Sequence, residues 1–241
     1  MSTINKDEIN KFSKIADEWW DINGKFKPLH MFNPIRIEYI LDVTLNYFKI
    51  DKNKKFPLKN LKILDIGCGG GLISEPMSRL GAQVTGVDAS DKNIQVAKIH
   101  AKKNNLNIKY LKTVPENLEL QNEFDIILNL EVVEHVENLD LYFSSCFGLL
   151  KQKGIMFTAT INRTLTSYVK AIVGAEYILR WLPIGTHDWN KFIKPEELEK
   201  KLTDLNFSVT NLSGLSYNPI FQEWKETKDM SVNYIITVEK N

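Results

Sequence analysis

From Lys62 onward the apolar positions fall into short runs, each closed by glycine, asparagine or aspartate and followed by a stretch with helical spacing. Lys62 to Asp65, Gln83 to Asp88, Ile108 to Lys112, Phe124 to Leu130 and Gly154 to Thr160 read as buried strands. Leu72 to Leu80, Asn93 to Asn104 and Leu139 to Leu150 read as the helices between them. Strand alternating with helix predicts a parallel sheet with helices on both faces. Ahead of it, Ile9, Phe12, Ile15, Ala16 and Trp19 recur at the spacing of one amphipathic helix over residues 7 to 20. Pro28 and Asn33-Pro34 then punctuate the chain, and a helical pattern resumes from Ile35 to about Phe48. Residues 51 to 62 form a lysine-rich connector into the first strand. After residue 160 come a long helical insert, a helix with Pro195 in its first turn, and two strands near Phe207 to Thr210 and Val232 to Val238. The expectation is one α/β domain over residues 1 to 241. Its parts are a helical extension to residue 50, a core from 60 to 160, an insert from 161 to 195, and a C-terminal helix and strands from 196.

Composition narrows this picture. With 43% hydrophobic and 25% charged residues the chain can bury a core of normal size. Its net charge of +1 gives no global field toward nucleic acid. Cys68 and Cys146 are too few for a disulfide framework and lack metal-ligand spacing. The N-terminus MSTINKDEINKF carries charge where a signal peptide needs an apolar stretch, so a cytoplasmic chain is expected.

The chemistry begins at LKILDIGCGGGLIS, residues 61 to 74, where the first strand turns into the first helix of the sheet. In such a sheet the ligand lies beyond the carboxyl ends of the strands. A dinucleotide fingerprint needs glycine at positions 67, 69 and 72, and position 72 is Leu72; a P-loop needs a lysine that is absent. The stretch instead reads Asp65-x-Gly67-x-Gly69-x-Gly71. A carboxylate there repels a pyrophosphate but suits a ligand with cationic groups, such as S-adenosylmethionine. Gly67 and Gly69 would let the backbone approach its methionine part. Asp88, at the end of the second strand, is placed to accept from ribose hydroxyls. A structural glycine turn with a capping aspartate is the alternative. The pattern resembles the class I, Rossmann-like S-adenosylmethionine-dependent methyltransferases over roughly residues 60 to 241, which implies a seven-stranded sheet ending in an antiparallel hairpin.

Past the fourth strand, in NLEVVEHV, Glu131, Glu134 and His135 stand at i, i+3 and i+4. If a helix begins near Glu131 they share one face, a plausible site for a divalent cation such as Mg²⁺ that would orient and acidify a bound phenol. Alternatively the acids favour a helix N-terminus and His135 packs or caps. Three longer stretches, 12 to 40, 160 to 198 and 214 to 220, are similar to the ubiquinone-biosynthesis O-methyltransferase family. That resemblance covers nearly the whole chain. It implies two O-methylations, one on a polyprenylated catechol-type intermediate and one on demethylubiquinol. It places cofactor contacts on Arg36, Gly67, Asp88 and Leu130, and the metal motif of related members on Glu131, Glu134 and His135. Arg36 suits this role because its fork can take both oxygens of a carboxylate. A surface arginine on an amphipathic helix is the plainer reading, as a core strand residue is for Leu130.

The run SYVKAIVGAEYILRWLP carries Lys170, Glu176 and Arg180 and is too short and too charged to span a bilayer. Its apolar residues surround even the polar face, so one side is expected on the sheet and the other, with Tyr177 and Trp181, against a polyprenyl tail or a membrane surface. An ordinary buried helix remains open. His187, just beyond, is a candidate base or acceptor-orienting group beside Glu131 and His135. Trp19 and Trp20 are expected to pack the extension over the cofactor mouth as a lid, or to be plain core. The partners implied are a prenylated phenol or quinol, the inner face of the cytoplasmic membrane and other ubiquinone-biosynthesis proteins, with no nucleic acid. The rivals are a class I methyltransferase with another acceptor and a non-catalytic module that binds S-adenosylmethionine.

Overall fold

The computed structural model describes residues 3–169, 188–218, 221 and 223–241. Its centre is an eight-stranded sheet: β1 (Lys62–Ile66), β2 (Gln83–Asp88), β3 (Lys109–Lys112), β4 (Phe124–Leu130), β5 (Leu150–Ile161), β6 (Phe207–Asn218), β7 (Glu223–Thr227) and β8 (Asn233–Lys240), in the order β3-β2-β1-β4-β5-β8-β6-β7. The first five strands pair in parallel, while β8 runs antiparallel between β5 and β6, and β7 antiparallel on the edge of β6. The expected seven strands gain an eighth, β7. Only Trp224 of its five residues is a large apolar group, stacked on Phe32 with ring centroids 4.0 Å apart.

The helices are α1 (Lys6–Lys14), α2 (Lys27–Tyr47), α3 (Ser74–Arg79), α4 (Asp91–Lys103), α5 (Leu139–Leu149), the one-turn α6 (Leu165–Ser167) and α7 (Pro195–Asp204). Neighbouring strand residues divide between the two faces, as the two-residue period of a pleated strand requires. Leu64, Ile127, Met156 and Ile236 pack with α5 and α7, whereas Ile63, Ile126, Ile155 and Ile235 pack with α2 and α3. Helices thus cover both faces.

Two local expectations are corrected. α2 runs unbroken through Pro34 rather than starting after it, with Pro28 in its first turn. Proline forfeits one helical hydrogen bond, but burial of Phe32, Arg36, Tyr39 and Ile40 along the same helix outweighs that loss. The N-terminal helix ends at Lys14, and a separate 3-10 turn, Ala16–Glu18, redirects Trp19. The insert between 170 and 187, with His187, lies outside the described residues. Among the described residues no helix is long and apolar enough to cross a membrane.

Candidate active site

The strand order reverses between β1 and β4, and a cavity of about 610 Å³ opens at their carboxyl ends. Arg36, Asp65, Gly67, Asp88, Leu130, Glu131, Glu134 and His135 all line it. So do Glu8, Phe12 and Trp19, which bring the N-terminal extension over the mouth.

The glycine loop is shaped by protein side chains. Gly67 (φ 66°), Gly69 (φ 52°) and Gly71 (φ 92°) are left-handed. A Cβ at Gly67 would sit 2.6 Å from Val132, and one at Gly69 would fall 2.3 Å from the Trp19 ring. The Trp19 ring therefore packs directly on Gly69. Trp19 stacks on Phe26 with centroids 3.7 Å apart and donates from Nε1 to Asn93 Oδ1 at 3.0 Å. Trp20 donates to the Gly70 carbonyl at 2.9 Å and stacks on His100. The polar contacts Thr3 to Glu116, Ser13 to Ser90 and Lys92 to Asp17 fasten the extension across the cavity.

Asp88 organises the second side. Its Oδ2 accepts from the Gly69 amide at 3.0 Å, and its Oδ1 from the Ser90 amide at 2.7 Å and Asn93 Nδ2 at 3.2 Å. Burial raises its pKa, and these donors oppose the rise. Asn93, absent from the sequence expectation, ties Trp19 to Asp88. Only its position in the first turn of α4, after the Ser90 cap, hinted at a loop-facing role.

Asp65 is 3% exposed and accepts from Ser74 Oγ at 2.5 Å. Burial pushes its carboxyl up from an ordinary 3.8 to about 7, the charge of Asp88 adds to the rise, and Ser74 opposes it. The folded protein thus keeps a proton that the unfolded chain loses as pH rises above about 4. Stability from this group is complete below that value and is lost as pH rises through about 7, a loss of about 4 kcal/mol across the window. Urea denaturation of Asp65→Asn at several pH values between 4 and 8 should show a flatter decline than the parent. Parallel curves would remove Asp65 as the cause.

On the opposite wall Arg36 is 2% exposed, its guanidinium 3.7 Å from the centre of the Phe32 ring. Nη1 donates to Asn33 Oδ1 at 3.3 Å, and Nη2 donates to Glu131. Nε is buried and finds no acceptor among the described residues. Burial lowers the Arg36 pKa while Glu131 and Glu134 raise it, so the group stays cationic. An unsatisfied donor on a buried cation fits a ligand carboxylate, and the acids of Asp65 and Asp88 fit a ligand with cationic and hydroxyl groups.

The helical face expected at Glu131, Glu134 and His135 does not form. Glu131 itself is left-handed (φ 57°), and a single 3-10 turn spans Val133–His135. Glu131 turns to Arg36, Glu134 accepts from Thr160 Oγ1 at 2.9 Å, and His135 Nδ1 lies 3.0 Å from Glu8 Oε2. His135 holds the Glu8 carboxyl down at about 2, and burial followed by the charge of Glu131 drives Glu134 well above the carboxylate range. Among the described residues no three acidic, histidine or cysteine groups gather as metal ligands. Glu8 was missed in the sequence because a charge on the outer turn of an amphipathic helix looks solvated.

A family model described as a methyltransferase domain matches residues 64–158. Among solved structures, magnesium protoporphyrin IX methyltransferase from Synechocystis PCC 6803 with bound SAH superimposes with a TM-score of 0.64 at 19% identity, covering 98% of this chain and 95% of that one. A SAM-dependent methyltransferase from Aquifex aeolicus gives 0.63 at 14% identity, covering 97% and 98%. Both show the fold. In sequence the chain is 51% identical to the ubiquinone biosynthesis O-methyltransferase of Mesorhizobium japonicum, over 99% of this chain and 96% of that protein. It is 61% identical to the one from Pelagibacter ubique over 100% of both chains. With that identity from end to end, around a strand-end cavity of the class I methyltransferase fold, the chain belongs to the family of ubiquinone biosynthesis O-methyltransferases.

Proposed function

We propose that this chain transfers a methyl group from S-adenosylmethionine to the hydroxyl of a prenylated catechol-type intermediate and of demethylubiquinol. The observation that carries the reading is the buried Arg36 with its unsatisfied Nε, set across one cavity from Asp65 and Asp88. Arg36 would hold the cofactor's carboxylate, Asp88 the ribose, and Gly67 and Leu130 the wall between them. The cofactor supplies the methyl group, on a sulfonium that makes it electrophilic.

The chain's own residues supply alignment, dryness and a proton acceptor. Phe12, Trp19 and Phe26 cover the mouth with apolar surface. His135 presents Nδ1 to Glu8 and packs edge-on against Phe12, with centroids 5.3 Å apart. That arrangement leaves Nε2 as the nitrogen to take the acceptor's hydroxyl proton. An apolar surface for a prenyl tail or the membrane is supported by Leu165 and Val169, 81% and 57% exposed, where the chain enters the insert. Association with the inner face of the cytoplasmic membrane, and with other proteins of the pathway, is part of the same proposal.

A divalent cation is the second reading, favoured by the adjoining carboxylates of Glu131 and Glu134. The test is transfer of labelled methyl from S-adenosylmethionine to short-chain demethylubiquinol and to a prenylated catechol, with and without EDTA. Product from both acceptors is expected. Loss on chelation and recovery with Mg²⁺ would establish the cation. Cofactor binding with no product from either acceptor would contradict the proposed activity and favour a non-catalytic binding module.

A further inference from the structure

We infer that Glu131 is an internal stand-in for the cofactor's carboxylate, and that cofactor binding expels it from Arg36 and delivers it to the acceptor side of the cavity. The inference rests on the proposed cofactor reading and adds an order of events to it.

A guanidinium offers a carboxylate its best seat along one edge, where two parallel N–H groups meet both oxygens. On Arg36 the edge formed by Nε and Nη2 is half used: Nη2 donates to Glu131, while Nε has no acceptor among the described residues. Elsewhere on the group, Nη1 donates to Asn33 and one face lies over the Phe32 ring. Any carboxylate that takes the full edge must therefore displace Glu131.

Glu131 is built to leave. Its backbone is pinned, with its amide donating to the Ala159 carbonyl at 2.9 Å in a left-handed conformation, so displacement moves the side chain alone. That side chain is 20% exposed, against 2% for Arg36, and lies at the cavity wall. Beside it stands Glu134, buried and held in place by Thr160 Oγ1, so the wall next to Glu131 is fixed while Glu131 itself is free to turn. Before the cofactor arrives, Glu131 neutralises a cation that would otherwise be buried alone. Afterwards it is a free carboxylate on the wall of the cavity that His135 also lines. Release of Glu131 from Arg36 thus follows the cofactor's arrival.

The test is isothermal titration of the full chain with two ligands, S-adenosylhomocysteine and 5′-methylthioadenosine, which shares the adenosine and thioether but has no carboxylate. Glu131→Gln is expected to bind S-adenosylhomocysteine about tenfold more tightly than the parent, since the competing charge is gone. Binding of methylthioadenosine should not change. Should Glu131→Gln not fold, Glu131→Asp, one methylene shorter and less able to reach Arg36, must move in the same direction. Unchanged or weaker S-adenosylhomocysteine binding would overturn the inference while the cofactor reading stands. An equal gain for both ligands would overturn it too, because the effect would not be at the carboxylate. A parent protein that binds neither ligand would take down the cofactor reading and this inference together.

Discussion

Arg36→Ala should weaken S-adenosylhomocysteine binding by about 2–5 kcal/mol, the cost of truncating one partner of a buried, hydrogen-bonded charge pair. In the same variant the fold should lose about 3–5 kcal/mol, because Glu131 is left without its cation beside a second carboxyl, Glu134. Both losses originate at one atom group: the guanidinium is the buried positive charge against Glu131, and it is stacked on Phe32. Arg36→Lys keeps the charge but loses the fork and the stacking face, so its affinity should fall between the two. Calorimetry with S-adenosylhomocysteine and urea denaturation read the two effects separately. Affinity within threefold of the parent for Arg36→Ala would place the cofactor's carboxylate elsewhere.

Gly69→Ala is the second large effect, and it acts on the lid. The residue is left-handed, a conformation that costs an L-residue about 1–2 kcal/mol. Its new Cβ would stand 2.3 Å from Trp19 Cζ2 and 2.4 Å from Cη2. Trp19 has no room to yield, being stacked on Phe26 and tied by Nε1 to Asn93. Overpacking of that kind adds about 1–3 kcal/mol, so a total loss of about 2–5 kcal/mol is expected in denaturation, with a shift in tryptophan fluorescence as the ring is displaced. Gly148, in α5, is the matched control. A Cβ there meets nothing within 4 Å, so Gly148→Ala should be neutral or stabilising by about 0.5–1 kcal/mol. If Gly69→Ala costs no more than Gly148→Ala, the tryptophan does not seal the glycine loop.

What was legible from the sequence was whatever is encoded locally. β2 and β4 span the apolar runs that announced them, and Pro195 opens α7 at the position its fixed φ favours. The strand-end acids Asp65 and Asp88, and Arg36, Leu130, Glu131, Glu134 and His135, reach one cavity because topology brings the ends of β1, β2 and β4 together. The misreadings share a cause, which is tertiary contact between distant segments. Pro34 marked a helix boundary until packing on the sheet carried α2 through it. β7 shows little apolar pattern because it is an edge strand with one aromatic facing inward. The glycine spacing likewise could not show that Trp19, about fifty residues earlier in the chain, packs against Gly69 and Gly70. No spacing in NLEVVEHV could show that Glu131 would adopt a left-handed backbone and turn to Arg36, or that His135 would face Glu8 from α1.

The central claim is that this cavity holds S-adenosylmethionine with its carboxylate on Arg36 and its ribose at Asp88. A crystal structure with S-adenosylhomocysteine tests it most directly. The account predicts the ligand's carboxylate on Arg36 Nε and Nη2, Glu131 withdrawn toward Glu134, and Asp88 hydrogen-bonded to the ribose. A ligand bound with the Arg36 and Glu131 pair intact, or with Asp88 still committed only to Gly69, Ser90 and Asn93, would contradict it.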